Sequence, residues 1–317
     1  MDIINFNDSH IGDIVKLWNA SAGTETPYKT FDADSFARKF KDGAAFAATV
    51  NGAAIGFAHG VINGAPDSNT GYVTFVLVAK EKRRSGIGTQ LLRSVESYLI
   101  QNGKTRLDVI FFNPVNLEWV IPGTDGHDHP NAPGVEKPSA GYDFCVKNGY
   151  RALADQYSYY LPLDKFTMSE KAAQTIDSLK AKNIDFGFYD KDRHYNIREM
   201  LEALGNPLWT NEITESIAAR PENPVIIASD GGKACGFTGP LYVQGSGRGY
   251  FTGIGVHPDY GGMGIGTVLF NLLCDGHKKG GAKFMSLFTG ETNPARKMYE
   301  GAGFSHVLTW TDFRKEI

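Results

Sequence analysis

Short runs of apolar residues, rich in aromatic and β-branched side chains, are closed by glycine or asparagine along the whole chain. They predict strands. "AAFAATV" (44–50) and "AAIGFAHG" (53–60) are joined by Asn51-Gly52, a two-residue hairpin turn, and "PVIIASDGGKACGFTGPLYV" (224–243) repeats the pattern around Gly231-Gly232. "GYVTFVLVA" (71–79), "RLDVIFF" (106–112), "GYFTGIGV" (249–256) and "AKFMSLFT" (282–289) are further strands. Between them the apolar period becomes helical. Ile87, Leu91, Leu92, Val95 and Leu99 share one face, and Ile265, Val268, Leu269, Leu272 and Leu273 fall at i, i+3, i+4, i+7 and i+8.

This order occurs twice. "SGIGT" and "MGIGT" pair Gly86 with Gly264, an offset of 264 − 86 = 178, and Asn116 and Asn293 lie 293 − 116 = 177 apart. Further on, "KNGY" (147–150) matches "GAGF" (301–304) at 303 − 149 = 154, so the first copy carries 178 − 154 = 24 extra residues. These are residues 117–140, rich in Pro, Gly, Asp and His, and they read as a loop insertion. Upstream, a short strand ("IINF"; "IDFGF") precedes a helix ("HIGDIVKLWNA"; "YNIREMLEAL") in each copy. The expected organisation is an N-terminal domain over 1–163, a polar linker helix within 164–183 and a C-terminal domain over 184–317. The fold class is α/β (α+β), with two tandem copies of one mixed unit.

With 42% hydrophobic and 21% charged residues the chain has the make-up of a globular protein. A net charge of −3 supplies no reason to expect a nucleic acid or an anionic membrane as partner. Cys145, Cys235 and Cys274 are too scattered for a disulfide framework or a CxxC metal site, which suits a reducing compartment. "MDIINFNDSH" does not read as a signal peptide, and no apolar run approaches the roughly 20 residues that span a bilayer. A cytoplasmic location is therefore expected, with oligomerisation left open.

The two glycine-rich segments, "EKRRSGIGTQLL" (81–92) and "DYGGMGIGTVLF" (259–270), each link a strand to a helix. The first amides of a helix lack intrahelical partners and its dipole favours negative charge there. Glycines let a phosphate approach that backbone. A tight turn needing glycine only for geometry is the other reading. A Walker loop is excluded, because Tyr98 stands where the first glycine should precede Gly103-Lys104-Thr105. Leu91 and Leu269 replace the third glycine of a dinucleotide fingerprint.

"Arg83-Arg84-Ser85-Gly86-Ile87-Gly88" resembles the coenzyme A loop, [Q/R]-x-x-G-x-[G/A], of the GCN5-related N-acetyltransferases, the GNAT family. "Gly261-Gly262-Met263-Gly264-Ile265-Gly266" matches it except at Gly261. Asn293, Tyr299, Gly303 and Phe304 resemble the family's N-x-x-A-x-x-x-Y-x-x-x-G-F block, with Ala295 one place early. The resemblance covers nearly the whole chain and implies two tandem GNAT-like domains, each a mixed, mostly antiparallel sheet flanked by helices.

It also implies a function: an amine attacks the thioester of acetyl-coenzyme A directly. Strand ends (Leu77 and Val78; Ile254 to Val256) would meet the donor, and their amides would oppose charge developing on the carbonyl oxygen. Arg83, Arg84, Gly86, Gly88 and Thr89 in one half, and Gly261, Gly262, Gly264, Gly266, Thr267 and Asn293 in the other, would hold its phosphates and pantetheine. Tyr299 occupies the position of the acid that protonates the departing thiolate; an unperturbed phenol pKa near 10 suits that task. In the first half the equivalent place holds Cys145, so the chemistry is expected in the second half. No acidic residue lies in either fourth strand. Glu291 is the best acidic candidate for a general base, with His257 another. "Asp125-Gly-His127-Asp128-His129" in the insertion invites a metal reading, but Pro130 and the irregular spacing favour a lid or acceptor-pocket loop, and no metal is expected. The expected partner is a small-molecule amine. A catalytically idle acyl-CoA binder or sensor, and an acyltransferase with another donor or acceptor, are the alternatives.

Overall fold

A computed structural model describes residues 1–62, 68–111 and 113–317. In chain order its elements are β1 (Asp2–Asn5), α1 (Ile11–Ser21), α2 (Ala33–Lys39), β2 (Ala44–Val50), β3 (Ala53–Ile62), β4 (Thr70–Val78), α3 (Ile87–Gln101) and β5 (Arg106–Val109). The insertion contributes β6 (Trp119–Val120), β7 (Asp128–His129) and β8 (Val135–Lys137), and α4 (Ala140–Lys147) and β9 (Arg151–Pro162) follow. Then come α5 (Glu170–Lys180), β10 (Ile184–Phe188), α6 (Ile197–Ala203), α7 (Pro207–Ala219), β11 (Ile226–Asp230), β12 (Lys233–Thr238), β13 (Ile254–Val256), α8 (Ile265–Lys279), β14 (Phe284–Gly290), α9 (Arg296–Gly301) and β15 (Ser305–Glu316).

The chain forms two compact units, Met1–Tyr157 with Leu308–Ile317, and Ser158–Val307. In the first, β1 to β4 are antiparallel neighbours, β4 and β5 are parallel, and the final strand β15 lies antiparallel to β5, from Phe313 against Val109 to Glu316 against Arg106. In the second, β10 to β13 form an antiparallel sheet. Each is a mixed or antiparallel sheet with helices packed on it. The sequence places the boundary after residue 163, whereas the chain changes unit after Tyr157 and its last ten residues belong to the first unit. An alternating pattern fixes which face of a strand is buried, not which strand lies beside it.

Both sheet-covering helices bury the faces their periods predict. Leu91, Val95 and Leu99 of α3 pack on Ala48, Ala58, Val73 and Leu107. A Cβ at Gly60 would stand 2.3 Å from Val95 Cγ1, so the bare strand lets α3 lie close. On α8, Ile265, Val268 and Leu269 pack on Ile226, Ala228 and Cys235. The expected linker helix is part of this same core: α5 buries Ala172 and Leu179, and Leu179 joins the α8 cluster. Ala172, Ile176 and Leu179 make a stripe at i, i+4 and i+7, enough to dock an otherwise polar helix.

Two strands are shorter than their patterns. Of 249–256 only Ile254–Val256 joins the sheet, and Trp209 of α7 fills the place of a Gly253 side chain, with Nε1 2.4 Å from where a Cβ would be. The strand expected over 106–112 ends at Val109, and Phe112 lies outside the described residues. The insertion is ordered around Trp119, which is fully buried and meets Trp310 edge-on at 5.2 Å.

Candidate active site

In the first unit β4 and β5 pair over only three positions, Thr70 to Tyr72 against Arg106 to Asp108, and then part while β4 runs on to Val78. In the second unit the parallel contact is Arg248 with Phe284, after which the chain turns to pair with β12. The contacts keep the repeat offset, 248 − 70 = 178 and 284 − 106 = 178. A splayed pair leaves backbone groups facing the gap without ladder partners. Thr74 adds to this in the first unit. His59 pairs with Phe75 and Gly60 with Val73, so Thr74 is an extra, bulged residue on β4.

The two glycine loops have one backbone. Arg83 (φ −66°, ψ 160°) matches Gly261 (φ −59°, ψ 148°), Arg84 (φ 63°) matches Gly262 (φ 75°), and Gly86 (φ 86°, ψ −6°) matches Gly264 (φ 89°, ψ 2°). Gly86 and Gly264 are the N-caps of α3 and α8, in a left-handed conformation that costs other residues about 1–2 kcal/mol. A Cβ at Gly86 would meet nothing within 4 Å, so that helix start is open to a phosphate. At Gly264 a Cβ would lie 3.0 Å from Thr175 Cγ2 of α5, which narrows the second cradle.

The remaining loop residues fall around these helix starts. Arg83 Nε donates to the Val78 carbonyl (3.0 Å), and both Arg83 (2.9 Å) and Lys80 (2.5 Å) pair with Glu25. These cations, with Lys80 foremost, hold the Glu25 carboxyl below the usual range. Arg84, Gly261 and Gly262 are exposed, and Thr89 and Thr267 are half-buried in the first turns of α3 and α8. Ile254 and Val256 are tied to β12 through Thr238 and Gly236. A Cβ at Gly88 would meet Phe144 of α4 at 3.2 Å, and one at Gly266 would meet Met298 of α9 at 4.0 Å. The helix carrying the sequence-predicted acid thus lies beside the helix start in the second half.

Tyr299 is 6% exposed, with its ring 4.9 Å from Phe270 and 6.5 Å from both Phe251 and Phe304. Burial pushes its phenol up to about 12, so it keeps its proton at neutral pH. Asn293 caps the turn into α9 by accepting from the Ala295 amide (3.0 Å). Glu291 is exposed at the end of β14, and its carbonyl accepts from Arg296 (2.6 Å). Cys145 is a core residue against Tyr150 and Phe313, and burial pushes its thiol up to about 12, which removes it as a nucleophile. His257 caps the turn at Asp259.

Sequence reasoning missed a small, shallow cleft where β4 and β5 part; its walls include Tyr28, Thr74, Val109, Ile110, Leu117 and Ala132. Thr74 Oγ1 lies 2.7 Å from Nδ1 of fully buried His59, whose Nε2 lies 2.8 Å from the Asp42 carbonyl. A carbonyl only accepts, so Nε2 carries the ring proton and Thr74 donates to Nδ1. Burial holds the imidazole neutral by pushing it down to about 4. The one sequence signal was His59 and Thr74 on neighbouring apolar strands, which a buried core strand gives equally well. Within the insertion, Asp128 pairs with Lys29 and His129 Nδ1 meets the Asn131 carbonyl. Among the described residues no group of three His, Cys, Asp or Glu side chains is placed to hold a metal, and no helix is long and apolar enough to cross a membrane.

A sequence model of the Acetyltransferase (GNAT) family matches residues 12–118 and 193–304. No curated protein matches the chain. Among solved structures it is similar to the GCN5-related glucosamine N-acetyltransferase region of a fungal multi-domain β-N-acetylglucosaminidase, at TM-score 0.72 and 15% identity, over 99% of this chain and 38% of that one. It therefore spans well under half of that protein's length. A GCN5-related N-acetyltransferase from Sphaerobacter thermophilus is similar at TM-score 0.64 and 16% identity, over 99% and 95%. A tandem GNAT protein from the clavulanic acid biosynthesis pathway is similar at TM-score 0.61 and 17% identity, over 99% and 98%.

Proposed function

Because the chain belongs to the GNAT acetyltransferase family, we propose that it transfers acetyl from acetyl-coenzyme A to the amine of a small molecule, with the chemistry in its second half. The observation that carries this reading is Tyr299, a protonated phenol on the helix that lies beside the N-terminus of α8. The thioester supplies an activated acetyl group. The amine nitrogen bonds to its carbonyl carbon, the C–S bond breaks, and the thiolate takes the phenolic proton. Ile254 and Val256 offer backbone to the donor, and Gly261, Gly262, Gly264, Gly266, Thr267 and Asn293 form its cradle. Glu291 takes the proton lost by the amine.

A second reading has the donor in the first half, held by Val78, Arg83, Arg84, Gly86, Gly88 and Thr89. It is favoured by the open cap at Gly86 and by the cleft beside the Thr74 bulge.

Calorimetric titration with acetyl-coenzyme A of Arg83→Glu and Gly261→Glu separates the two. Both positions have dihedrals that any residue adopts, so each variant places a carboxylate in one loop without forcing a left-handed backbone, although Arg83→Glu also removes the pair with Glu25 and a Cβ at Gly261 would lie 3.1 Å from the Pro258 carbonyl. Binding lost only in Gly261→Glu supports the second half, and binding lost only in Arg83→Glu moves the donor to the first. Tyr299→Phe should then lower kcat about 10²–10⁴-fold at unchanged donor affinity. An unchanged kcat would remove Tyr299 from the chemistry. Donor binding with no thiol release from any amine would leave an acyl-CoA-binding protein.

A further inference from the structure

The strands that close the two repeats correspond residue for residue: β9 runs from Arg151 to Pro162 and β15 from Ser305 to Glu316, with 305 − 151 = 154 and 316 − 162 = 154. Residues 158–162 nevertheless belong to the second unit, and β15 from Leu308 onward belongs to the first. Each unit therefore holds the end of the other repeat's last strand. In the second unit this brings Tyr159 against α9. Tyr159 is fully buried, and its hydroxyl accepts from Arg296 Nε (2.9 Å) and donates to Glu300 Oε1 (2.8 Å). Its ring lies 6.0 Å from that of Tyr299.

On a helix, residues 296 and 300 lie one above the other, and residue 299 projects about 100° away from 300. Pinning Arg296 and Glu300 to one strand residue sets the rotation of α9 about its axis, and with it the direction of the Tyr299 phenol. The brace matters because α9, Arg296–Gly301, has six residues, and so short a helix is not held by its own hydrogen bonds.

A buried phenol also needs partners for its own sake. The first unit separates that need from positioning. The offset of 154 pairs Tyr159 with Phe313, Arg296 with Tyr142, Glu300 with Val146 and Tyr299 with Cys145. There Phe313 meets the Tyr142 ring at 5.2 Å and shares an apolar cluster with Cys145. Apolar side chains thus satisfy the packing of strand on helix, and the Arg–Tyr–Glu bridge occurs in the half that carries the phenol.

We propose that Tyr159 is a positioning residue for acetyl transfer: its bridge to Arg296 and Glu300 holds α9 so that Tyr299 meets the departing thiolate. The inference rests on the reading of Tyr299 as the acid of the second half, and it makes that site depend on a residue of the first repeat.

The test uses the full chain with Tyr159→Phe, which removes one oxygen, and with Glu300→Ala, which removes the far end of the bridge at a half-exposed position. Amide exchange read by mass spectrometry needs no acceptor. Over 296–301 it should be about 10-fold faster in Tyr159→Phe, and over 140–147 it should not change. Thiol release from acetyl-coenzyme A, with glucosamine and phenethylamine as the amines, should show kcat lowered about 10-fold by Tyr159→Phe and several-fold by Glu300→Ala, at unchanged donor affinity. In a Tyr299→Phe background Tyr159→Phe should cost nothing further, whereas a merely structural loss would recur there. Unchanged exchange over 296–301, an equal kcat loss with and without Tyr299, or donor affinity falling in step with kcat would each overturn the proposal. A kcat lowered by Tyr299→Phe but not by Tyr159→Phe overturns the positioning role alone. An unchanged kcat in Tyr299→Phe overturns the acid assignment and the positioning role with it.

Discussion

Replacing Gly261 by arginine would give the second loop the side chain that the first already carries. The backbone permits it: φ −59° and ψ 148° at Gly261 lie close to φ −66° and ψ 160° at Arg83, outside the left-handed region. The tightest contact for a new Cβ is the Pro258 carbonyl at 3.1 Å, and Arg83 stands in the same turn after Lys80. Removing a glycine where the conformation suits other residues stabilises a protein by about 0.4–1 kcal/mol through the unfolded chain. Towards a bound phosphate, a charge-assisted hydrogen bond contributes about 1.5–3 kcal/mol. Exposure of the position places the expectation near the lower end, so Gly261→Arg should tighten acetyl-coenzyme A about 10-fold. Calorimetry at about 50 and 300 mM salt reads it, because screening should shrink the gain at the higher value. An unchanged Kd, together with a melting temperature that holds or rises, would refute the second loop as the donor cradle.

Two further expectations follow from the backbone and from burial. Arg84 holds φ 63° where the second loop has glycine, so Arg84→Gly relieves strain and should leave the melting temperature unchanged or slightly higher. If the first loop holds phosphates, the same variant should weaken acetyl-coenzyme A about 3–10-fold, and unchanged affinity would make Arg84 a plain turn residue. His59 and His277 are buried, and burial pushes both down to about 4 from an unfolded value near 6.5. Between these values the unfolded chain binds protons that the folded chain does not, so stability is complete above pH 6.5 and is lost as pH falls towards 4. Denaturant titrations at pH 7 and 4.5 should differ by roughly 2–3 kcal/mol per histidine, and an imidazole titrating near 6.5 by NMR would refute this.

What the sequence made legible is what local chemistry controls. The repeat offset of 178 reappears in the parallel contacts of both sheets and in both glycine loops, because left-handed caps and apolar stripes are properties of a few adjacent residues. The role of α5 was less visible, since a stripe as sparse as Ala172, Ile176 and Leu179 also suits a solvated linker. The cleft was not legible at all. Its walls come from Tyr28, Thr74, Val109, Leu117 and Ala132, and nothing within any one of those segments shows that the others lie near it.

The two loops also separate what a fold requires from what a ligand requires. Where the backbone needs φ above zero at the cap, both copies keep glycine, at Gly86 and Gly264. Where it does not, at Arg83 and Gly261, they diverge in side chain while the dihedrals stay within 12° of each other. The clearest case lies between these. Arg84 occupies a conformation for which the other copy uses Gly262, so the first loop carries a left-handed arginine that the turn itself does not need. If the first loop holds phosphates, this left-handed exposed cation beside an open helix N-terminus is a residue that the ligand rather than the fold requires. The second half keeps the phenol instead, with Tyr299 at the place where Cys145 is a buried, protonated thiol. The copies share one loop backbone and differ in the side chains that it carries.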